Sequence, residues 1–229
     1  MNLADKDEPR RIIFARHGQT EWNLQARFQG KTNVQLTEKG KQQAHSLAKR
    51  LSSWPLEIVY TSPLDRAKFT AEAIAERHKL EPVILPELEE INFAQWEGQS
   101  ISALEREQHD VFARWRADPF FNPPAGAETW EKLYARLSRA VKIFLDGPYK
   151  RVVVVSHGGI MRAIYAIFIG LNPHKVWNME VSNCAMSGVE MRFGRACLVF
   201  ANDDLHIRAG KWGENLPVWG ESHELRAGT

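Results

Sequence analysis

Short apolar runs alternate along this chain with segments of helical periodicity, and few classes of fold accommodate that order. The apolar runs have the length of buried strands, and several end at a glycine or proline turn. The segments between them have helical length, and Thr37 is a good capping residue for one of them. The predicted strands are 12–15, 57–60, 82–85 and 152–155, with later ones near 185–192 and 196–201; the predicted helices are 38–52, 63–77, 128–145 and 160–169, and 19–36 is predicted to be loop.

Strands that alternate with helices indicate an α/β fold with a mostly parallel sheet. We therefore predict a three-layer α/β/α sandwich, organised as one domain over 1–229, with a small helical cap at about 99–127 and an irregular extension at about 209–229. In such sheets ligands bind beyond the carboxyl ends of the strands. His17 and His157 each follow a strand and precede a glycine. If their strands are neighbours, the two imidazoles converge on one pocket.

The net charge and the cysteine content indicate which binding partners and which cellular compartment to expect. The formal net charge is +2, so the chain has no global field that would hold a nucleic acid or a membrane surface. The N-terminus lacks the apolar core of a signal peptide, and no apolar stretch is long enough to span a bilayer. Cys184 and Cys197 form no C-x-x-C pair and are interpreted as free thiols. We expect a cytoplasmic protein.

The first motif with chemical content is Arg16-His17-Gly18, with Asn23 five residues after the glycine. A neutral imidazole is a good nucleophile toward phosphorus. Arg16 is always cationic, and its planar fork matches two phosphate oxygens at once. Gly18 allows a close backbone approach. A lone R-H-G would be a satisfied histidine at a strand end, but the longer phrase 16–23 favours a functional site.

The second motif, 62–67, lies at a strand-to-helix junction. Ser62 is predicted to cap the helix and Pro63 to occupy its first position. A helix start favours anions, and Arg66 lies in its first turn, where a cation is otherwise unfavourable. Arg66 is either a surface arginine or a second phosphate clamp, and the other motifs favour the clamp.

Two further motifs offer a proton donor and another imidazole. Glu89, Glu90 and Glu97 lie in the segment 88–98, and a carboxylic acid in an apolar setting could protonate a leaving alkoxide. The residues alone do not choose among the three. His157, protonated beside a bound phosphate, could act as an electrostatic clamp, whereas the alternative is a core histidine with a backbone partner. No spacing indicates a magnesium, calcium or zinc site.

Together the four motifs resemble those of the histidine phosphatase superfamily, the phosphoglycerate mutase-like fold, in the family's order from about 12 to 169. The resemblance implies that His17 is the nucleophile that becomes phosphohistidine. The third motif resembles L-x-E-x-x-F-G-x-W-E-G, which implies that Glu90 is the proton donor and base. It also implies a phosphate and substrate site that needs no metal or cofactor and includes Arg16, Arg66, His157, Asn23, Gln29, Gly30 and Gly158.

Hydrolysis and mutase chemistry are the alternatives within this family. The resemblance implies a large insertion after the acid/base glutamate in true mutases, whereas here only 37 residues lie between Glu90 and Glu128. We therefore expect a phosphatase for small phosphate esters, with phosphoglycerate mutase and a non-catalytic phosphate-binding module as rivals. Ala94, Asn33 and Gln35 depart from the commonest pattern and weaken any substrate assignment.

The cap and the C-terminal segment carry the last two expectations. Some of Arg106, Phe112, Arg114, Trp115, Arg116, Phe120 and Phe121 are expected to line the substrate side of the pocket; the alternative is that the aromatic ones pack the cap onto the core. Trp212 and Trp219 could dock on the body or form a subunit contact, which leaves a homodimer open.

Overall fold

The computed structural model describes residues 8–208, and its centre is a six-stranded sheet. Five strands share one direction, and only β5 runs antiparallel to its neighbours β1 and β6. The strands are β1 Arg11–Arg16, β2 Ile58–Thr61, β3 Val83–Ile84, β4 Arg151–Ser156, β5 Met186–Arg192 and β6 Arg195–Asp203, in the order β3-β2-β4-β1-β5-β6. The predicted mostly parallel α/β sheet is confirmed.

Helices cover both faces of this sheet. They are α1 Glu21–Leu24, α2 Glu38–Leu51, α3 Asp65–His78, α4 Ile101–Glu107, α5 His109–Ala117, α6 Trp130–Asp146 and α7 Gly158–Ile164. Helix α7 continues into a π-helical turn, Tyr165–Ile169. Helix α2 begins as predicted, because the Thr37 hydroxyl accepts the backbone N–H of Gly40. The helices predicted at 38–52, 128–145 and 160–169 are confirmed to within a few residues at their ends.

The core is divided by the sheet because successive side chains of a strand point to opposite faces. Ile13 and Ala15 of β1 are buried with the small apolar residues of α2 and α3. Ile12 and Phe14 are buried on the other face, with α6, α7 and the cap. Each such side chain contributes about 1.5–3 kcal/mol when fully buried, so both helical layers are held to the sheet by strands with no polar face.

The register of the central strands sets the position of both histidines. Strands β1 and β4 are parallel neighbours, and Arg16 lies opposite Ser156. The backbone N–H of His17 then donates to the carbonyl of Ser156 at 3.0 Å. His17 and His157 therefore follow adjacent strands at the same edge of the sheet, as the sequence predicts.

The cap consists of α4 and α5, which pack through aromatic rings. Phe112 is buried, and its ring stacks on Trp115 with centroids 5.6 Å apart. Trp115 in turn contacts Phe28 and Trp96 edge to face, at 5.0 and 5.7 Å. This connected set fixes the cap over the carboxyl edge of the sheet. The same aromatic packing explains why the helical pattern of 99–121 has an apolar face.

Three local expectations are wrong. Helix α3 begins at Asp65, with Leu64 as a cap that makes no side-chain bond, so Ser62 does not cap it and Pro63 is not its first residue. The segment 19–36 contains the short helix α1, started by a capping box between Thr20 and Asn23. The strand at 82–85 is only two residues long. The extension at 209–229 and its tryptophans lie outside the described residues.

Candidate active site

His17 lies at the centre of the site, directly after β1. It is 2% exposed, and its Nδ1 is 2.7 Å from the carbonyl oxygen of Gly18. A carbonyl only accepts hydrogen bonds, so Nδ1 carries the proton and Nε2 keeps the lone pair. Burial lowers the pKa of His17 well below its usual range, and the charges of Arg66 and Arg16 lower it further. His17 is therefore neutral at physiological pH, which is the form that can attack phosphorus.

His157 lies beside His17, with ring centroids 5.1 Å apart. It is fully buried, its Nδ1 accepts from Arg66 Nε at 3.2 Å, and its Nε2 lies 2.7 Å from the Ser62 hydroxyl. Because the guanidinium only donates, the ring is the Nε2–H tautomer. Burial first, then Arg66 and His17, lower the pKa of His157 well below its usual range. The ring is therefore neutral, and the imidazolium that the sequence analysis expects beside a bound phosphate stays a prediction.

Ser62 has a different role from the predicted helix cap. Its hydroxyl accepts the Leu64 N–H at 3.3 Å and is bonded to His157 Nε2. The serine therefore fixes the second imidazole, and the helix start is shifted two residues onward. A buried histidine needs a partner for each nitrogen, but the sequence does not indicate which hydroxyl supplies one.

Arg66 reaches from the first turn of α3 into the site and is 1% exposed. Its Nη1 and Nη2 donate to the carbonyls of Thr32 and Gly30, both at 2.7 Å. Burial lowers its pKa to about 10, opposed by Glu90, so it stays cationic at neutral pH. Arg66 therefore serves both as a charge beside His17 and as the anchor of residues 30–32, which we call the anchored loop.

Glu97 holds the other side of the anchored loop. Its carboxylate accepts the N–H groups of Lys31 and Thr32, both at 3.0 Å, and that of Phe93 at 3.2 Å. Gly30 has a φ of +52°, and a Cβ there would overlap this carboxylate. The loop thus requires glycine at this position.

Arg16 supplies the second guanidinium beside His17. Its Nη1 donates to the carbonyl of Val181 at 2.7 Å, while its Nε is buried without a hydrogen-bond partner. Burial lowers its pKa to about 10, with Glu90 acting in the opposite direction. A buried N–H without a partner is costly. An anionic oxygen in the cavity would satisfy it.

Asn23 is oriented by the capping box of α1. Its Oδ1 accepts the Thr20 N–H at 3.1 Å and an amide N–H of Asn183 at 3.2 Å. With its oxygen engaged, the amide nitrogen is the group available to a ligand oxygen. Gln29 is linked to the same network through Thr20, whose hydroxyl lies 2.9 Å from Gln29 Oε1. Asn183 also donates to the carbonyl of His17, at 3.1 Å, and sequence reasoning missed it.

Glu90 faces the imidazoles from the loop before the cap. Its two oxygens accept the N–H of Ile91 at 2.9 Å and of Gly159 at 3.3 Å. A Cβ at Gly159 would lie 2.7 Å from the carboxylate and 2.6 Å from Ile91 Cδ1. The close approach therefore needs glycine. Glu89, by contrast, forms an ion pair with Lys31 at 2.6 Å.

Arg162 is a third arginine of the site, although in the sequence it only interrupts an apolar stretch. Its guanidinium donates to the carbonyls of Met179 and Gly158 and lies over the ring of Trp177, 4.8 Å from the centroid. Its spacing from His157 within α7 was the signal that could have revealed it, because the first turns of that helix face the site.

These side chains surround one cavity of about 240 Å³. All the predicted site residues line it except His157, which is fully buried beside it. Of the seven cap residues considered, only Trp115 lines the cavity. Phe112 and Phe120 are core residues, Phe121 stacks on His174, and the exposed Arg106 and Arg116 pair with acidic neighbours. The complete lining is Arg16, His17, Asn23, Arg27, Phe28, Gln29, Gly30, Arg66, Glu90, Phe93, Ile101, Trp115, Gly158, Gly159, Arg162 and Trp177.

Two features of residues 8–208 bear on metals and membranes. Within that range no three side chains of His, Cys, Asp or Glu gather as they would around a metal ion. None of the helices there combines the length and the apolar character needed to cross a bilayer.

Comparison with known proteins gives a consistent family. The sequence model of the histidine phosphatase superfamily (branch 1) matches residues 12–204. Phosphoserine phosphatase 1 of Hydrogenobacter thermophilus is 34% identical over 202 residues, covering 86% of this chain and 94% of that protein. Phosphoglycerate mutase-like protein 4 of Arabidopsis thaliana is 37% identical over 160 residues, covering 67% and 69%. A mycobacterial glucosyl-3-phosphoglycerate phosphatase structure is 27% identical, covers 84% and 98%, and superposes with a TM-score of 0.78.

Proposed function

Since the chain belongs to the histidine phosphatase superfamily (branch 1) and is a phosphatase of small phosphate monoesters, we propose that it works through a phosphohistidine on His17. The observation that carries the proposal is the state of His17: buried, neutral, protonated at Nδ1, and set between Arg16 and Arg66. In that arrangement the lone pair of Nε2 is available to an anionic electrophile, a phosphate group, which the two arginines would bind.

In the first step, Nε2 of His17 attacks the phosphorus of the ester. The N–P bond forms, the bond from phosphorus to the leaving oxygen breaks, and Glu90 in its acid form gives that oxygen a proton. Arg16 and Arg66 bind the equatorial oxygens, where the charge of the transferring group is spread. The proton at Nδ1 stays on the ring, held by Gly18, so the phosphorylated imidazole keeps its orientation.

In the second step, water attacks phosphohistidine. Glu90, now a carboxylate, takes the proton from water, the N–P bond breaks, and inorganic phosphate leaves with His17 neutral again. The phosphate dianion also favours the protonated form of His157, which burial and the charge of Arg66 otherwise disfavour. His157 then donates to the anion instead of accepting from Arg66.

The proposal includes independence from metal ions. The two cationic guanidiniums beside His17 supply the neutralisation that a divalent ion gives in kinases. Turnover should therefore persist in EDTA, and a full loss that added magnesium restores would contradict this part.

The test is a trapping experiment that compares two site variants with two control variants of the same residue types. Wild-type protein and a radiolabelled phosphate ester, quenched in alkali, should give an acid-labile phosphoenzyme, and His17→Ala should give none and no turnover. Glu90→Gln should lose about 10²–10⁴-fold in kcat. His109→Ala and Glu89→Gln, away from the reacting atoms, should remain near wild type. An acid-labile phosphoenzyme in His17→Ala would refute the mechanism.

Phosphoglycerate mutase activity is the second candidate, favoured by the name of the Arabidopsis relative. The short cap, α4 and α5, favours hydrolysis, since a mutase must exclude water while its intermediate reorients. Incubating 3-phosphoglycerate with and without 2,3-bisphosphoglycerate separates the two: a phosphatase releases phosphate in both, whereas a mutase forms 2-phosphoglycerate and needs the primer.

Location and assembly complete the proposal. We place the enzyme in the cytoplasm, which two unpaired cysteines, Cys184 and Cys197, support. A homodimer stays a prediction, and light scattering of the full chain tests it.

A further inference from the structure

The part of the cavity away from the phosphate end has a continuous aromatic wall. Phe28 lies 5.0 Å from Trp115 and 5.1 Å from Phe93, and Trp115 lies 5.7 Å from Trp177, all between ring centroids and near edge to face. Ile101, at the start of α4, adds an aliphatic surface that is 43% exposed. All five side chains line the same cavity as His17. An alcohol group that leaves His17 therefore meets rings and a branched aliphatic chain.

The charges of the whole cavity lining are unbalanced as well. Besides the two arginines at the phosphate end, Arg27 and Arg162 line it, whereas Glu90 is the only acidic residue in the lining. Arg162 is held by backbone carbonyls and by the face of Trp177. A substrate ammonium would meet these cations, and its one carboxylate partner would be the group that must deliver a proton.

We propose that the preferred substrates are phosphomonoesters whose alcohol part carries a planar apolar ring and no ammonium group. The inference rests on the proposed function, because it assigns the leaving-group side of the same site. A volume of about 240 Å³ accommodates a phosphate with one ring system, and rings gain most from edge-to-face and offset contacts with other rings. Phosphoserine, the substrate named for a relative, has the opposite features.

The first experiment compares substrates that share a leaving group. 2-Phenylethyl phosphate and propyl phosphate both release a primary alkoxide, so a difference in kcat/KM reports the ring and not leaving-group acidity. We expect a preference of about tenfold or more for the ring, equivalent to ~1.4 kcal/mol. O-Phosphoserine and 3-phosphooxypropanoate differ only in the ammonium, and the analogue that lacks it should be the better substrate by about fivefold or more.

Variants locate the ring on the wall. Ile101→Ala should lower kcat/KM for 2-phenylethyl phosphate a few-fold more than kcat/KM for propyl phosphate, while Trp115→Leu should remove most of the ring preference. Ile84→Ala is the matched control, because Ile84 is 50% exposed on β3 and does not line the cavity. It should change neither substrate.

The outcomes separate this inference from the proposed function. Turnover with equal kcat/KM for the two alkyl esters, or a preference for phosphoserine over its analogue, would overturn the subsite alone. Calorimetric binding to His17→Ala, which cannot form phosphohistidine, gives a readout without turnover. If wild type cleaves nothing but His17→Ala binds 2-phenylethyl phosphate about tenfold more tightly than propyl phosphate, the proposed function fails and the subsite stands. Equal binding overturns the subsite.

Discussion

Adding one methyl group at Gly159 should separate the placement of Glu90 from the stability of the fold. The residue lies in the first turn of α7, and its N–H donates to Glu90 Oε2. An alanine Cβ would lie 2.7 Å from Glu90 Oε1 and 2.6 Å from Ile91 Cδ1, where ordinary contact begins at 3.4 Å. The carboxylate must therefore move by about 0.3 Å to reach the shortest contact that real Cβ atoms show, 3.0 Å, and by about 0.7 Å to reach ordinary contact at 3.4 Å.

The two consequences differ in size. Overpacking costs about 1–3 kcal/mol, whereas replacing glycine by alanine in a helix returns about 0.5–1 kcal/mol, so the free energy of unfolding should fall by at most about 2.5 kcal/mol. A catalytic group displaced by nearly an ångström can cost about 10²-fold in rate. Gly159→Ala should therefore be folded, with kcat lowered about a hundredfold.

The assay is kcat on a phosphate ester together with urea unfolding. Gly147→Ala is the control, because Gly147 follows α6 outside the cavity and its Cβ would meet the Ile143 carbonyl oxygen at 3.1 Å and no residue that lines the cavity. Its kcat should stay within about threefold of wild type. Adding Ile91→Val to Gly159→Ala removes the Cδ1 clash and should recover stability but little activity. If Gly159→Ala keeps full kcat, or both glycine variants lose it equally, the claim that this glycine positions Glu90 is wrong.

Three other predictions concern charges around the site. Stability should fall as pH drops below about 6.5, because His17 and His157 have lower pKa values folded than unfolded; the unfolded chain then binds more protons, and each histidine contributes a slope of up to ~1.4 kcal/mol per pH unit. Urea unfolding at pH 7.5 and 5.5 measures this slope, which His17→Asn should reduce. Glu97→Gln should loosen the anchored loop and lower stability by ~1.5–3 kcal/mol, seen as a lower Tm and a higher KM. Arg136→Met removes the donors to the backbone carbonyls of Glu87 and Glu90 and should lower kcat about tenfold. Arg136→Lys should recover part of this loss in the same assay.

The central strands of the sheet could be read from the sequence because they are buried on both faces. Val152–Val155 and Ile12–Ala15 have no polar face, and such uninterrupted apolar runs are typical of parallel strands between helices. The short helix α1 was missed because its stability comes from the capping box of Thr20 and Asn23 and not from an apolar period; none of its four residues is buried.

The residue types of the site could be predicted, but their partners could not. His17 and Arg16 lie at the end of an apolar strand, and the longer phrase 16–23 that contains them indicates a ligand site. Ser62, Arg162 and Asn183 act through tertiary contacts with His157, Trp177 and the His17 carbonyl. Such contacts depend on which loops the fold brings together, and serine, arginine and asparagine are common enough on surfaces that composition gives no signal for them.

The same burial that keeps His17 neutral also lowers the pKa values of the two guanidiniums beside it. Arg16 and Arg66 lie beside two neutral imidazoles, both guanidiniums have pKa values lowered to about 10, and Arg16 Nε has no partner. In the proposed mechanism, a phosphate dianion that accepts from Arg16 Nε would lie in the same cavity as the imidazole nitrogen of His17 that carries the lone pair. The same two arginines therefore serve phosphate binding and keep His17 in its neutral, nucleophilic form. Arg66→Met should weaken phosphate binding and raise the pKa of His17. NMR titration of the imidazole would measure the change in pKa.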